Sequence, residues 1–334
     1  IARILFTLPL PEPFDYAVPE EMDVQPGAYV RAPLGPNERT GVVWDVFENP
    51  DETRDLKPIY MVYPAPPLPK SMRNFVDWTA RYTCYRPGPV LRMVLRVPPA
   101  LLPSKTKQVV EFGSGEVSRQ TPARMRVLEH IKDSPPLTPA ELAQEVGVST
   151  SVVKGLVDTG ALKTAERLVD PPYPHPEALP PIHALTDEQQ SAASLLCEKV
   201  RESRFSVTLI DGVTGSGKTE VFFEAVAEVV RQSKDGQVLI LLPEIALTQA
   251  IMKRFEQRFA SRPVEWHSGL SDAERRRAWR EVAHGRARIV VGARSALFLP
   301  FPNLKLVVVD EEHDSSYKQE DGVIYHARNL AVAR

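Results

Sequence analysis

Short apolar runs separated by turn residues dominate the first hundred residues. The runs at residues 2–8, 28–32 and 41–47 are rich in valine, isoleucine and aromatic side chains, and proline, glycine or asparagine bound them. This is the pattern of β-strands. Residues 71–82 instead favour a helix. The pattern predicts a small, mainly β domain.

The next segment has the signals of short helices. Thr121 and Thr138 each precede a proline, which pairs a capping side chain with proline at the first helical position, and Glu141 completes a capping box with Thr138. Gly147 marks a turn before a second helix at residues 149–158, so we expect a helix-turn-helix. The second helix carries a single lysine, which favours a protein-facing or structural role over reading of a DNA groove.

From Thr186 onwards strands and helices alternate. Helical patterns lie near residues 218–232, 247–259 and 271–284. Four continuous apolar runs predict parallel strands buried on both faces: residues 207–211, 237–243, 288–292 and 304–310. The alternation predicts a doubly wound α/β sheet with a parallel strand arrangement.

Proline usage divides the chain. Of the 32 prolines, 28 lie at or before Pro181, and the change falls in a proline-rich run at residues 171–181. Such a run forms neither a helix nor an interior strand. We therefore expect a linker there, with separate domains on either side.

Composition limits the class of protein. The chain has 334 residues, of which 43% are hydrophobic and 25% charged, so we expect a globular protein of two or three domains. The sequence shows no apolar run long enough for a membrane span and no secretion signal in the first ten residues. Cys84 and Cys197 are too few for a disulfide framework or a four-cysteine zinc site. These features predict a cytoplasmic protein with no membrane contact.

The formal net charge of −2 hides an uneven distribution. Acidic residues outnumber basic ones between residues 12 and 55, whereas residues 70–107 contain one acid, Asp77. Two interpretations are open for that stretch: a surface that binds a polyanion, or a solvated basic face. Its basic residues are Lys70, Arg73, Arg81, Arg86, Arg92, Arg96, Lys105 and Lys107.

The strongest chemical motif spans residues 212–219 and matches the phosphate-binding pattern G-x-x-x-x-G-K-[ST]. It lies between a predicted strand and a predicted helix. Glycines allow backbone N–H groups to turn toward phosphates, Lys218 reaches the β- and γ-phosphates, and Thr219 offers a hydroxyl to Mg²⁺. The motif predicts a nucleoside triphosphate site made by Gly212, Thr214, Gly215, Ser216, Gly217, Lys218 and Thr219.

A second motif places carboxylates at the end of a predicted strand. Four apolar residues precede Asp310, Glu311, Glu312 and His313, and ligands of open α/β sheets bind at that end. Asp310 is expected to hold Mg²⁺, and Glu311 to orient or deprotonate the attacking water. A capped strand end is the alternative for the carboxylates, and His313 fits a structural or a coupling role.

Residues 310–313 form a DExH box, and with the phosphate loop they resemble superfamily 2 helicases. A narrower resemblance, to the PriA family of primosomal replication-restart DNA helicases, rests on several segments in order: residues 13–16, 18–20, 211–220, 242–248, 267–272, 292–298 and 310–319. The similarity covers essentially the whole chain.

The resemblance implies a multidomain fold, with a small mainly-β DNA-binding domain, a winged helix-turn-helix domain and a RecA-like α/β lobe. The implied boundaries are residues 1–105 for the domain that binds a 3′ DNA end, 106–170 for the winged helix, 171–181 for the linker and 182–334 for helicase lobe 1. A second lobe with an arginine finger and a cysteine cluster for zinc would lie beyond residue 334. The chain is thus expected to be the N-terminal part of a longer protein, to bind no zinc itself and to hydrolyse ATP weakly or not at all.

The same resemblance implies site residues. It assigns adenine recognition to Gln189 and adds Glu220 to the nucleotide site. It also assigns a pocket for a 3′ DNA end, in which an aromatic ring stacks a base, a carboxylate accepts a hydrogen bond and a lysine meets a phosphate. Packing in the β domain is the alternative for the two aromatic residues. The pocket residues are Phe14, Asp15, Tyr16, Gly35 and Lys57.

The implied activity is ATP-dependent 3′→5′ unwinding of DNA, with recognition of abandoned forks and assembly of the primosome. The implied cofactors are ATP and Mg²⁺. The implied partners are forked DNA with a nascent-strand 3′ end, single-strand-binding protein and other primosome proteins. The alternatives are a fork-DNA-binding module that does not hydrolyse ATP and, more distantly, a translocase of a restriction system.

Overall fold

A computed structural model describes residues 1–48, 55–115, 120–181, 183–213, 215–243 and 246–334. These residues divide into two compact units. One unit combines Ile1–Pro103 with Pro172–Arg334, and the other is Ser104–Pro171. None of the helices in the described ranges is long and apolar enough to cross a membrane.

The first unit begins with an antiparallel sheet and two helices. Its elements are β1 (Ala2–Phe6), β2 (Phe14–Tyr16), β3 (Tyr29–Leu34), β4 (Asn37–Val46), β5 (Met61–Val62), α1 (Lys70–Tyr82) and α2 (Pro87–Val94). The strand order is β2-β1-β4-β3-β5, and Ile4, Phe6, Val30 and Val43 lie in its core. The three predicted strands and the predicted helix are confirmed. The sequence pattern does not predict β2, β5 or α2, since each is short and lies among prolines.

The second unit contains three helices and a two-stranded antiparallel sheet. Its elements are β6 (Thr106–Phe112), α3 (Pro122–Asp133), α4 (Pro139–Val146), α5 (Thr150–Asp158) and β7 (Leu162–Leu168), and β6 pairs with β7. The predicted capping box is confirmed: the backbone N–H of Glu141 donates to Thr138 Oγ1 at 3.2 Å, and the N–H of Thr138 donates to Glu141 Oε2 at 2.7 Å. Gly147 ends α4 with φ of 68°, which glycine adopts at little cost.

The remainder of the first unit is an α/β layer. Its elements are α6 (Asp187–Glu202), α7 (Lys218–Gln232), β8 (Gln237–Leu241), α8 (Gln249–Phe259), β9 (Val264–Trp266), α9 (Asp272–Ala283), β10 (Ile289–Gly292), β11 (Leu304–Val309), β12 (Lys318–Gln319), β13 (Tyr325–His326) and α10 (Ala327–Ala333). The sheet has the order β11-β8-β10-β9, and all of its neighbouring strands are parallel. The parallel sheet is confirmed, with β9 as an additional strand.

The central strand β8 is buried on both faces. Val238 and Ile240 belong to one apolar cluster, which includes residues of α7 and α8. Leu239 and Leu241 belong to a second cluster, which includes Trp279 of α9. Because successive side chains of a strand point to opposite faces, β8 joins the two cores.

The predicted strand at residues 207–211 is wrong. These residues form no strand, and the side chains of Val207 and Leu209 are 65% and 78% exposed. An apolar run indicates a tendency to be buried but does not supply the neighbouring strand that must hydrogen-bond to it. Among the described strands, the edge strand β11 pairs only with β8. The phosphate loop therefore follows a segment without regular secondary structure instead of a strand.

The N-terminal segment and the α/β layer share one apolar core. Trp279 is 1% exposed, its indole N–H donates to the carbonyl oxygen of Val94 at 2.9 Å, and its ring centroid lies 5.8 Å from that of Tyr29. Arg280 Nε donates to the carbonyl oxygen of Leu102 at 3.2 Å. Residues 1–103 thus cover one face of the parallel sheet together with α9.

The proline-rich segment at residues 171–181 has no helix or strand, and its part from 172 onward is held against the α/β layer. Tyr173 lies beneath the guanidinium of Arg277, with 3.9 Å between the guanidinium carbon and the ring centroid. The N–H groups of Glu177 and Leu179 donate to carbonyl oxygens at the end of α8. This part of the segment is therefore anchored at several points.

Replacing Trp279 with alanine is expected to lower the free energy of unfolding by about 3–5 kcal/mol, because it removes a large buried side chain and leaves a cavity in the shared core. Urea denaturation followed by circular dichroism measures the effect. The control is Leu195→Ala, since Leu195 is 50% exposed and a surface change is expected to cost less than about 0.5 kcal/mol. Equal midpoints for the two variants would contradict the importance of this contact.

Candidate active site and nucleic-acid interface

The loops that carry the sequence motifs lie at one edge of the parallel sheet. Residues 242–248 follow β8, residues 267–272 follow β9, residues 293–298 follow β10 and residues 310–313 follow β11. The strands are parallel, so all of these loops emerge at their carboxyl ends, where open α/β sheets bind ligands. Glu244 and Ile245 in the first loop lie outside the described residues.

The phosphate loop leads directly into α7. Gly215 and Gly217 have φ of 82° and 81°, values that a residue with a Cβ atom rarely adopts. Lys218 begins the helix, and its Nζ donates to the carbonyl oxygens of Gly212 at 2.7 Å and Val213 at 3.2 Å. The ammonium group is therefore held inside the loop. Ser216 and Thr219 are half-buried beside it, and the predicted site residue Thr214 lies outside the described residues.

Gln189 connects the start of α6 to the phosphate loop. Its Oε1 accepts from the N–H of Thr186 at 3.0 Å, and its Nε2 donates to the carbonyl oxygen of Ser216 at 2.8 Å. A Cβ atom on Gly217 would lie only 2.4 Å from Gln189 Nε2. The positive φ of 81° is therefore what favours glycine at 217, while an added Cβ atom would also displace the end of the Gln189 side chain from the loop. The structure thus brings Gln189 to the loop, although its sequence position predicts only a helix start.

Asp310 lies half-buried at the end of β11. Burial raises the pKa of its carboxyl group, and the negative charge of Glu311 acts in the same direction. The N–H donated by Glu311 and the positive charges of Lys218 and Arg254 lower that pKa, but they do not offset burial. Lys218 therefore lies within electrostatic reach of Asp310, although 92 positions separate them in the sequence.

The residues after Asp310 are exposed and conformationally constrained. Glu311 has φ of 48°, a left-handed conformation that is uncommon for a residue with a Cβ atom. Its Oε2 lies 3.6 Å from His313 Nε2, and the side chain of His313 is 76% exposed. Glu312 pairs with Arg328 of α10 at 2.5 Å. Of the two glutamates that follow Asp310, Glu311 is therefore the more exposed, and Glu312 is paired with an arginine.

Two further side chains define this edge of the sheet. The hydroxyl of Tyr317 lies 2.6 Å from the carbonyl oxygen of Asp310 and 3.0 Å from that of Leu241. It therefore joins the carboxyl ends of β11 and β8. Arg254 of α8 donates from Nη2 to Glu220 Oε1 at 2.5 Å. Glu220 lies in the first turn of α7, so this ion pair ties α8 to the helix that follows the phosphate loop.

These residues fit Mg²⁺ and a nucleoside triphosphate. The loop has the two positive-φ glycines that turn backbone N–H groups inward, and a lysine whose ammonium group now contacts only neutral carbonyl oxygens among its described hydrogen bonds. Asp310 and Thr219 supply oxygen atoms, which Mg²⁺ prefers. Among the described residues, no group of three or more His, Cys, Asp or Glu side chains is arranged to hold a metal ion.

The second predicted site lies on β2, the edge strand of the N-terminal sheet. Phe14 is 41% exposed, whereas Tyr16 is 4% exposed and donates its hydroxyl to the carbonyl oxygen of Pro33 at 2.6 Å. The Tyr16 ring packs edge-on against Phe6 at 5.9 Å. The contacts of Tyr16 therefore fit the alternative interpretation, packing in the core of the β domain. The ring of Phe14 is instead exposed to solvent.

Asp15 forms a two-point ion pair with Arg3 on the neighbouring strand. Arg3 Nε donates to Oδ1 at 2.9 Å and Arg3 Nη2 to Oδ2 at 3.3 Å. The hydrogen bond to Asp15 is the main reason why the pKa of Arg3 is raised. An arginine in this position holds the carboxylate of Asp15 in a fixed orientation.

Hydrogen bonds from Tyr16 and Ala17 reach the two segments that contain Gly35 and Lys57. Gly35 has φ of 62° in the turn between β3 and β4, two residues after the carbonyl that Tyr16 binds. The carbonyl oxygen of Lys57 accepts from the N–H of Ala17 at 3.0 Å, and the Lys57 side chain is exposed. The structure therefore links the segments that contain Gly35 and Lys57 to β2 and the residue after it.

Sequence reasoning missed Arg3, Arg254 and Tyr317. Arg3 lies within a predicted strand, and only the register of β1 against β2, which pairs Arg3 with Asp15, reveals its partner. Arg254 lies in none of the sequence motifs, so no pattern pointed to it. Tyr317 lies in one of the segments that resemble the helicase family, and that resemblance was the only signal for it.

Comparison with known proteins agrees with this architecture. Residues 3–96 match the model of a 3′ DNA-binding domain (3′BD) of PriA, and residues 186–333 match the model of the DEAD/DEAH box helicases. Replication restart protein PriA of Rickettsia conorii is 30% identical over 335 aligned residues that include the whole of this chain. The chain belongs to the PriA family. The PriA proteins of Haemophilus influenzae and Bacillus subtilis are 33% and 38% identical, over 99% and 65% of this chain.

The chain spans less than half the length of these PriA relatives. It covers 40% of the Rickettsia conorii protein, 47% of the Haemophilus influenzae protein and 28% of the Bacillus subtilis protein. The two regions matched by family models correspond to the N-terminal sheet with α1 and α2, and to the α/β layer. In the sequence, the second unit, Ser104–Pro171, separates the two regions.

Arg254→Ala is expected to lower kcat/KM for ATP hydrolysis by the natural-length protein about 10- to 100-fold. It leaves Glu220 unpaired and removes a positive charge near Asp310, and a hydrogen bond to a charged group contributes about 1.5–3 kcal/mol. Steady-state kinetics with DNA present measure the change.

Two further variants separate this role from a loss of charge alone. Arg254→Lys is expected to recover part of the activity, because it keeps the charge but not the geometry of the pair. Arg262→Ala serves as the control, since Arg262 is also half-exposed and pairs with Glu265 at 3.5 Å, away from Asp310. An equal loss in the Arg254 and Arg262 variants would exclude a specific role for Arg254.

Proposed function

We propose that this chain belongs to an ATP-dependent DNA helicase that acts with 3′→5′ polarity in replication restart. The observation that carries the proposal is the position of the two motifs in the α/β layer: Lys218 begins α7 directly after the phosphate loop, and Asp310 follows β11 at the carboxyl edge of the sheet, near enough for the charge of Lys218 to lower the Asp310 pKa. This proximity supports a common site for the two motifs of a nucleoside triphosphatase. The match of residues 3–96 to a 3′ DNA-binding domain supports DNA as the substrate.

In the proposed mechanism, Lys218 and the backbone N–H groups of residues 215–218 bind the β- and γ-phosphates. Thr219 and Asp310 would hold Mg²⁺, which would offset the negative charge on the phosphates. Glu311 orients a water molecule toward the γ-phosphate and accepts its proton. Gln189 recognises the adenine, and Glu220 is held beside the loop by Arg254. The left-handed backbone of Glu311 fits this role, since strained residues are frequent at active sites.

At the N-terminal sheet, we propose that the pocket binds the 3′ end of a nascent strand at a stalled or abandoned fork. Phe14 stacks on the terminal base, Asp15 accepts a hydrogen bond from the terminal sugar, and Lys57 meets a phosphate. Gly35 leaves room at the turn, because nothing lies within 4 Å of the position of an added Cβ atom. Tyr16 anchors β2 by packing against Phe6 in the core of the sheet.

The proposed domain boundaries are residues 1–105, 106–170, 171–181 and 182–334. The middle unit fits a winged helix, since α4, the Gly147 turn and α5 form a helix-turn-helix and β6 pairs with β7. Several of its basic side chains are engaged by acids: Lys107 by Glu141, and Lys163 and Arg167 by Glu111. This supports contact with protein over groove reading.

The whole protein is proposed to work in the cytoplasm with forked DNA, single-strand-binding protein and other primosome proteins. A zinc-binding cysteine cluster is proposed for the remainder of the protein. The alternative function, a DNA-binding module without ATP hydrolysis, is favoured by one observation: the segment before the phosphate loop is exposed and outside the sheet.

Lys218→Ala is expected to abolish DNA-stimulated ATP hydrolysis, because no other described side chain replaces its ammonium group at the phosphates. Phosphate release by the natural-length protein, with and without forked DNA, measures the activity. Lys234→Ala is the matched control, since Lys234 is exposed beyond the far end of α7. Undiminished hydrolysis in the Lys218 variant would exclude the proposed nucleotide site.

Asp15→Ala is expected to weaken binding to a fork with a free 3′-hydroxyl about 10- to 100-fold, the value of a hydrogen bond to a charged group. Fluorescence anisotropy compares forks with free and phosphate-blocked 3′ ends. Asp45→Ala is the control, because Asp45 lies opposite Arg3 on β4 but outside β2. Equal affinity of the unmodified protein for both forks would rule out the pocket.

A further inference from the structure

Helix α1 has an aromatic surface that the proposed sites do not use. Its buried side is formed by Met72, Phe75, Val76, Thr79 and Ala80. On the other side, Trp78 and Tyr82 stack with 4.8 Å between ring centroids and 11° between ring planes. The two side chains are 36% and 52% exposed. The core of the helix is therefore complete without this pair.

Basic residues are frequent in the part of the sequence that contains the pair. Arg81 lies between the two aromatic residues in sequence and is exposed, and its Nε donates to the carbonyl oxygen of Asp77. Five basic residues within residues 70–103 are exposed: Lys70, Arg81, Arg86, Arg92 and Arg96. A polyanion thus matches the charge of the exposed residues in this part of the chain.

The one acid of the stretch bonds to a residue of the neighbouring sheet. Asp77 is half-buried, and its Oδ2 accepts from the indole N–H of Trp44 at 3.0 Å. Arg73 donates to the carbonyl oxygen of the same tryptophan at 2.9 Å. Burial raises the pKa of the Asp77 carboxyl group. The carboxylate is therefore held by a side chain of β4, and the charges of Arg81 and Arg73 lower its pKa, in the opposite direction to burial.

We propose that the surface formed by Trp78, Arg81 and Tyr82 binds single-stranded DNA, with a base stacked on the outer face of the aromatic pair and a phosphate at Arg81. Base stacking on exposed aromatic side chains, supported by arginine, is independent of sequence. The inference rests on the proposed function in taking DNA as the ligand, but it assigns a surface distinct from β2 and from the phosphate loop. A protein partner would instead use the same rings as apolar contacts.

Tyr82 also gives this surface a contact with the α/β layer. Asn329 Nδ2 of α10 donates to the Tyr82 hydroxyl at 3.5 Å. Helix α10 also provides Arg328, which pairs with Glu312 beside Asp310. A strand bound at this surface would therefore lie one helix away from the DExH residues.

The test uses the natural-length protein and a thymidine oligonucleotide with a phosphate-blocked 3′ end, so that the 3′-end pocket does not contribute. Trp78→Leu keeps an apolar side chain but removes the aromatic face, and it is expected to weaken binding about 5- to 100-fold in fluorescence anisotropy. Trp78→Phe is expected to bind within about threefold of the unmodified protein because it retains a ring. Arg81→Ala is expected to reduce the slope of log affinity against log salt by about 0.7, the value for one single-strand phosphate contact.

Phe112→Leu is the matched control, since Phe112 is a 43% exposed aromatic residue in the other unit. Thermal melts verify that each variant is folded, and the Phe variant keeps the test valid if the Leu variant unfolds. Unchanged affinity of a folded Trp78→Leu variant overturns the proposal, as does an equal loss on fully paired blunt duplex. Loss of ATP hydrolysis or of 3′-end discrimination with normal oligonucleotide binding would count against the proposed function and leave this surface intact.

Discussion

The apolar contact between the N-terminal segment and the parallel sheet is the constraint on which the rest of the first unit depends. A parallel sheet must be covered on both faces, and β8 places alternate side chains in two separate cores. Helices α7 and α8 cover one face. On the other face α9 is joined by residues of α1 and α2, with Trp279 contacting Tyr29 and the carbonyl oxygen of Val94. The surface that includes β2 and the edge that carries Asp310 therefore belong to one packed body.

Within that body, polar contacts connect elements that are distant in sequence. Tyr317 holds the ends of β8 and β11 together, Arg254 joins α8 to α7, and Gln189 joins α6 to the phosphate loop. Each contact uses a side chain from one motif or helix to fix the backbone or carboxylate of another. Removing any one partner leaves a polar group whose desolvation is no longer compensated. The carboxyl edge of the parallel sheet and the phosphate loop are therefore held in position by pairs of residues and not by the motif residues alone.

The features predictable from sequence are those that depend on local chemistry. The Thr138 capping box, the positive-φ turn at Gly147 and the helix that begins at Lys218 each follow from a few adjacent residues, and the structure confirms them. The error at residues 207–211 arose because an apolar run does not identify the strand that must pair with it. Arg3 and Arg254 could not be predicted, since their partners are set by strand register and helix packing. In the site, motif residues were identifiable, but the side chains that orient them were not.

Gln189 illustrates why pre-arrangement matters for the proposed chemistry. Its side chain bonds to the N–H of Thr186 and to the carbonyl oxygen of Ser216, and these two bonds use one lone pair and one N–H of an amide that has two of each. A bound base can therefore contact the same amide without breaking its hold on the loop. Because the amide also packs against Gly217, such a contact would restrict the backbone at the helix start where Lys218 lies. Recognition of the base and positioning of the phosphates would then be coupled through one side chain.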